Sequence, residues 1–367
     1  MATSTSSEDA KDTKAPRAGT PAPALAAVSL SHGSLPRRAA PLTLAAFAAA
    51  AVALLLAGVN AALCGIAAAV GYTAVIYGWA RAVEGRRKAF NRFVTAVVCS
   101  AFALAMLPLL SVVITVTSNG LDRFDAEFFT HSMLGIVGEG GGAHHALFGT
   151  LIITALATAI SVPVGLLTAI YLVEYGRGRL ARAITFFVDV MTGIPSIVAG
   201  LFAYALFVMF FGPGAEMGIM GAVALSVLMI PVVVRSTEEM LKLVPNELRE
   251  ASYALAVPKW RTIVKVVLPT SIAGIATGVT LAVARVVGET APLLITVGSP
   301  TYDNFNPFDG AMQTLSVFAY NSYAHPGLDR EAYLERAWTA ALLLILIVMA
   351  LNLLARLISR IFAPKTR

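Results

Sequence analysis

Between Arg38 and Arg81 the chain carries no charged side chain at all. One membrane span needs about 20 apolar residues, so a run of this length predicts two spans, a helical hairpin over residues 41–80 that turns near Gly58-Val59-Asn60. Composition extends the argument to the whole chain. Of its 367 residues 57% are hydrophobic and only 13% charged, against about 25% charged in soluble domains. That leaves too little polar surface for a water-facing globule. Lipid cannot satisfy backbone polar groups, which restricts a spanning chain to helices or a closed barrel. The apolar runs here show no period-2 alternation, so the expected fold class is all-α and polytopic.

Six further apolar runs lie near 93–117, 145–173, 184–211, 217–234, 270–298 and 338–357. With the N-terminus inside, the inner segments are 1–40, 81–92, 174–183, 235–269 and the C-terminal end. They hold 23 of the 27 Lys and Arg residues, and the outer segments hold ten of the 21 acids. This positive-inside asymmetry predicts eight spans with both termini cytoplasmic. It also assigns the net charge of +6 to orientation, not to nucleic acid. Residues 1–40, rich in Ala, Ser, Thr and Pro, read as a disordered cytoplasmic tail. The first apolar stretch runs past a signal peptide's length, so none is expected. Residues 81–92 read as a basic cytoplasmic loop. Cys64 and Cys99 fall inside apolar runs and read as small packing residues.

The longest inner segment, 235–269, is the most specific. Pro245 suits the start of a helix and Pro258 its end, which predicts about 12 helical residues at the inner face. Leu248, Ser252, Leu255 and Ala256 recur at i, i+4, i+7 and i+8, while Glu247, Arg249 and Glu250 carry charge elsewhere. So short a helix is marginal alone, which predicts a protein docked against it. Trp260 suits the interface where the chain turns back toward the bilayer.

Two spans carry internal charge. Arg285 and Glu289 stand four residues apart, which predicts a shared helical face. Each costs about 2.5–3.5 kcal/mol at the bilayer centre, so they must pair or face a polar cavity. If the span enters near Ile272, Arg285 lies about 20 Å along it. Pro292 leaves the carbonyl of Gly288 without a donor and predicts a kink beside the pair. Asp189, six residues before Pro195 and near the hydroxyls of Thr192 and Ser196, reads either as facing a partner or vestibule or as a protonated or snorkelling residue near the inner end. The outer segment Gly138-Glu139-Gly140-Gly141-Gly142 with His144-His145 reads as a flexible loop, one that can touch an extracytoplasmic protein; the spacing supplies no third metal ligand.

The inner loop resembles the cytoplasmic signature of ABC importer permeases: Glu-Ala-Ala, three residues, Gly, nine residues, Ile, one residue, Leu-Pro. Here Glu250-Ala251-Ser252 is followed by Ala256, Val266 and Leu268-Pro269 at that spacing. Ser252, Ala256 and Val266 depart from the pattern, and Ala256 does so where the family's glycine marks a turn. The resemblance covers about residue 93 to the C-terminus, a permease domain over 93–367. Phe128-Phe129-Thr130, the segment 193–200 and the segment 284–294 are most similar to the family's phosphate-specific branch.

The resemblance implies a transport subunit with no catalytic residue and no cofactor of its own. Glu250, Ala251, Ser252, Ala256, Leu248 and Leu255 would couple to the ATPase. Arg285, Glu289, Asp189, Thr192 and Ser196 would line the substrate pathway, Arg285 contacting phosphate or gating the path and Glu289 holding its guanidinium when no anion is present. A homologous permease subunit, two ATPase subunits carrying ATP and magnesium, an extracytoplasmic phosphate-binding protein and membrane lipid are the implied partners, in a prokaryotic plasma membrane. The chain itself has no phosphate-binding loop sequence. Alternatives are a permease for sulfate or molybdate, or an ion-coupled secondary transporter relaying through Asp189, Glu289 and Arg285. An intramembrane enzyme finds no supporting motif.

Overall fold

The computed structural model describes residues 35, 36 and 38–362. Most of the expected tail 1–40 lies outside them. The chain forms two units, Met1–Leu110 and Ser111–Arg367. The described residues contain helices and no strand. Seven helices are long and apolar enough to cross a membrane, or up to eight with one bent pair counted as a span.

In the first unit, α1 (Ala39–Leu56) and α2 (Ala61–Glu84) form the expected hairpin, with Asn60 capping α2 by accepting from the backbone N–H of Ala62. The predicted loop 81–92 is not a loop. Helix α3 (Arg86–Gly120) follows α2 after the single residue Gly85, whose φ of 84° is open to glycine and permits the reversal. Glu84 is buried there; Arg92 Nε and Nη2 donate to it at 2.5 and 2.8 Å, and Leu35 N donates at 2.7 Å.

The second unit is built on α5 (His144–Ile170) and α8 (Gly218–Lys242). They pack closely because a residue with a side chain does not fit at Gly165: a Cβ there would fall 2.7 Å from Val233 Cγ1. Without a hydrophobic driving force between helices in lipid, such close approach is the main source of packing energy. Ile153, Ala157, Leu225, Met229 and Val233 form the shared core, joined by Ala282 and Val286 of α11 (Leu268–Val287). α4 (Ala126–Thr130) and α13 (Leu315–Ala324) pack on the outer part of α5, and α14 (Arg330–Phe362) closes the unit.

Three predicted spans need correction. The run 184–211 is two helices, α6 (Gly178–Thr192) and α7 (Ser196–Phe211), bent by 110° at Gly193-Ile194-Pro195. Glycine and proline stop α6, and α6 is amphipathic while α7 is apolar all round, so only α7 has the composition of a crossing segment. The run 217–234 continues as helix through Lys242, because Glu238 binds Arg235 (2.8 Å) and Lys242 (2.6 Å) along one face. The run 270–298 stops at Val287 and resumes only as the single turn α12 (Ala291–Leu294).

Candidate functional site: the α9 platform and the broken helices

α9 (Asn246–Ala254) is nine residues long, shorter than the 12 expected. It ends in a Schellman closure: Val257 N donates to Ser252 O (3.3 Å) and Ala256 N to Tyr253 O (2.9 Å). Ala256 sits at φ 57°, the one non-glycine residue with positive φ among those described. The turn expected of glycine is thus kept by alanine, and Pro258 does not replace it; Pro258 instead precedes α10 (Lys259–Thr262).

Arg249 fixes this helix. Its Nε and Nη2 donate to Glu174 Oε1 at 3.0 and 2.9 Å, Nη1 to Val244 O at 2.6 Å and Nη2 to Leu241 O at 3.0 Å. The guanidinium therefore caps the Leu241 and Val244 carbonyls at and just past the end of α8 while binding a carboxylate in the π-helical turn Tyr171–Tyr175 that extends α5. Lys259 Nζ donates to Glu174 O and lies over the Tyr175 ring. The Ser252 and Thr262 hydroxyls, both buried, meet at 2.8 Å and join α9 to α10. A second π turn, Ile263–Val267, leads from α10 into α11. Single π turns recur at functional positions.

The expected stripe of Leu248, Ser252, Leu255 and Ala256 is split. Ser252 faces inward, whereas Leu248 (41% exposed) and Leu255 (80%) face out, with Ala251, Ala256 and Glu250 also exposed. Leu255 lies past the last turn of α9, so the helical register no longer places it with Ser252. Trp260 is exposed, with the Arg261 guanidinium 5.1 Å from its ring.

The second locus is the pair of interrupted helices. Gly200 of α7 lies against α12; a Cβ there would fall 2.6 Å from Pro292 Cα. The segments 193–200 and 284–294 therefore meet. Arg285 is exposed and makes no ion pair with Glu289 or any other acid among the described residues. Their predicted common face does not exist, because the helix ends at Val287 and Glu289 is off it. The backbone carbonyl of Glu289 accepts from Ser316 Oγ at 2.8 Å instead. Asp189 is bound by Arg235 of α8, beside the Glu238–Lys242 pair, which places it at the end of the unit that carries α9. Thr192 Oγ1 bonds back to Val188 O at 2.9 Å, and Ser196 opens α7.

The glycine loop is held more firmly than expected. Arg336 of α14 is fully buried and donates to Gly138 O and Gly140 O at 2.8 and 2.7 Å; Arg123 donates to Gly141 O at 2.9 Å. Phe128 is fully buried beneath, its carbonyl accepting from Ala143 N. The two histidines go separate ways, His144 to Asp303 (2.9 Å) and His145 to Gln313 (2.9 Å).

Residues 161–367, which include the α9 platform and the α6–α7 and α11–α12 breaks, match the family model described as "binding-protein-dependent transport system inner membrane component". The chain belongs to this family. Relatives extend the match toward the N-terminus. Over 290 residues the inner membrane component is 45% identical to "Phosphate transport system permease protein PstA 1" of Mycobacterium tuberculosis (strain CDC 1551 / Oshkosh), which covers 78% of this chain and 94% of that protein. It is 37% identical over 293 residues to the PstA protein of Yersinia pestis, covering 78% and 94%. Its fold is that of a subunit in the crystal structure of a bacterial alginate ABC transporter with its periplasmic protein, at a TM-score of 0.55 and 14% identity, over 75% of this chain and 97% of that one. The inner membrane component is thus a multi-pass membrane protein with an ABC importer permease fold.

Proposed function

We propose that this chain is the permease subunit of an ATP-driven phosphate importer in a prokaryotic plasma membrane, supplying half of the translocation path. The observation that carries the reading is the α9 platform: Leu248 and Ala251 exposed beside Glu250 on a nine-residue helix, with Leu255 exposed just past its end, the whole anchored by Arg249 to Glu174. An ATPase docked there would deliver its stroke to α5 and α8 through Arg249 and to α11 through Ser252 and Thr262. ATP and magnesium belong to that partner, and this chain carries no catalytic role. Two ATPase subunits, a homologous companion permease and an extracytoplasmic phosphate-binding protein complete the assembly.

The phosphate assignment is supported by the 45% identity to a phosphate permease over most of the chain. Arg285 fits it physically. A permanently charged guanidinium on a membrane helix that pairs with no acid among the described residues must face water, a partner or an anion, and its planar fork suits phosphate oxygens. The break before Ser196 adds the N-terminus of α7, whose first-turn N–H groups favour anions. Thr192 flanks that break, and Glu289 lies where α11 stops. Asp189 becomes a positioning residue, tying α6 to α8 through Arg235.

Radiolabelled phosphate uptake in cells lacking their own copy tests the reading, with Glu250→Arg and Arg285→Ala beside the wild type. Glu250→Arg is expected to lose both the co-purifying ATPase and uptake, and Arg285→Ala to lose uptake alone at normal protein levels. Uptake unchanged by deletion would sink the phosphate assignment. Competition by sulfate or molybdate at equal concentration would favour a permease for another oxyanion.

A further inference from the structure

The first unit holds a partly open cavity away from the α9 platform and the broken helices. The cavity measures about 1010 Å³ between α1, α2 and α3, at the end where α2 passes into α3. Arg87, Asn91 and Thr95 line it at i, i+4 and i+8 of α3, with Lys88 and Arg92 on the adjacent stripe. Arg92 is neutralised by buried Glu84. Arg87 and Lys88 are exposed and pair with no acid among the described residues, so the cavity presents two uncompensated cations.

One apolar groove continues from it toward the middle of the membrane, and a second lies beside that groove without sharing a lining residue with the cavity. The first, of about 280 Å³, shares Tyr72 and Cys99 with the polar cavity and runs past Phe47 and Leu104 to Leu107. The second, of about 460 Å³, shares Ala69, Ser100 and Leu104 with the first and is walled by Phe93 and Val97. From Thr95 to Leu104 the distance along α3 is about 14 Å at 1.5 Å per residue, close to one leaflet of a hydrocarbon core about 30 Å thick.

We infer that this is a binding site for an anionic phospholipid, its headgroup phosphate on Arg87 and Lys88 and an acyl chain in the groove that joins the cavity at Tyr72 and Cys99. Charge and shape both select the occupant. Basic pockets between membrane helices attract anionic headgroups, and a free phosphate ion would use the cations but not the groove. The inference concerns the hairpin and does not rest on the transport reading.

Native mass spectrometry of the full chain in mild detergent, titrated with phosphatidylglycerol, phosphatidylcholine or inorganic phosphate, tests it. Phosphatidylglycerol is expected to bind well above phosphatidylcholine, and Arg87→Gln with Lys88→Gln to weaken it by about thirtyfold, the effect of two lost surface-cation contacts. Leu104→Trp, which fills the groove and leaves the cations, is expected to expel the lipid while thermal unfolding reports an intact fold. Equal binding of the two lipids, or phosphatidylglycerol binding unmoved by the double substitution, would overturn the inference. So would inorganic phosphate displacing the lipid in the wild type, or Leu104→Trp leaving retention unchanged.

Discussion

Arg249 on α9 and Glu174 in the π turn after α5 stand 75 residues apart in sequence, yet their side chains meet at 2.9 Å with both largely shielded from water. The same guanidinium closes the carbonyl end of α8. Arg249→Met is expected to leave Glu174 a buried, unpaired charge and to cost about 3–5 kcal/mol. Adding Glu174→Gln should recover much of that loss. Thermal unfolding of the four proteins of this cycle, in one detergent, measures it; equal midpoints for Arg249→Met and the wild type would refute the assignment.

Ala256 holds φ 57° where an alanine is strained by roughly 1–2 kcal/mol. Ala256→Gly should therefore stabilise the protein by ~1 kcal/mol after allowing for glycine's greater freedom when unfolded. Ala256→Val, β-branched at positive φ, should destabilise it by more. The order Gly above Ala above Val in unfolding midpoint is the expected outcome.

Arg336 is buried, donates to two glycine carbonyls and has the Tyr333 ring 4.5 Å from its charge. Arg336→Ala should release the segment 138–142. Amide exchange there is expected to accelerate on the order of a hundredfold, the equivalent of about 3 kcal/mol from two charge-assisted bonds. Hydrogen–deuterium exchange read by mass spectrometry checks this, with α8 as the unaffected reference.

Gly200 tolerates no side chain against Pro292. Gly200→Leu should push α7 from α12 and cost about 1–3 kcal/mol by overpacking. Because this contact joins the two interrupted helices, uptake is expected to fall further than protein level does. Parallel transport and immunoblot measurements separate the two effects.

Much of this was legible in the sequence, for reasons that individual residues make plain. Unbroken apolar runs located the spans, and the spacing from Glu250 to Pro269 located the platform. Hydropathy has no direction, however, so the run 184–211 read as one span although Gly193 and Pro195 carried the signal for a bend. Gly288 and Pro292 together end α11, where Pro292 alone suggested a kink and kept Glu289 on the helix. α13, ten residues long, lies within a segment read as an outer loop, because so short an apolar stretch falls below a span's length. Arg249 was visible as a charge, but no spacing rule reports a partner at Glu174. Which edge of α9 is covered was equally hidden: periodicity groups Leu248 with Ser252, and only the Thr262 hydroxyl turns Ser252 inward.

The two attachments of α9 make it a yoke rather than a lever. Arg249 ties it to the joined ends of α5 and α8, and Ser252 ties it to the segment that feeds α11. A load placed on Leu248 or Leu255 is divided between these arms, so no single helix takes it alone. Timing between the arms is then a matter of stiffness, and the π turn on each side, Tyr171–Tyr175 and Ile263–Val267, is where a softer or firmer backbone would advance one arm before the other.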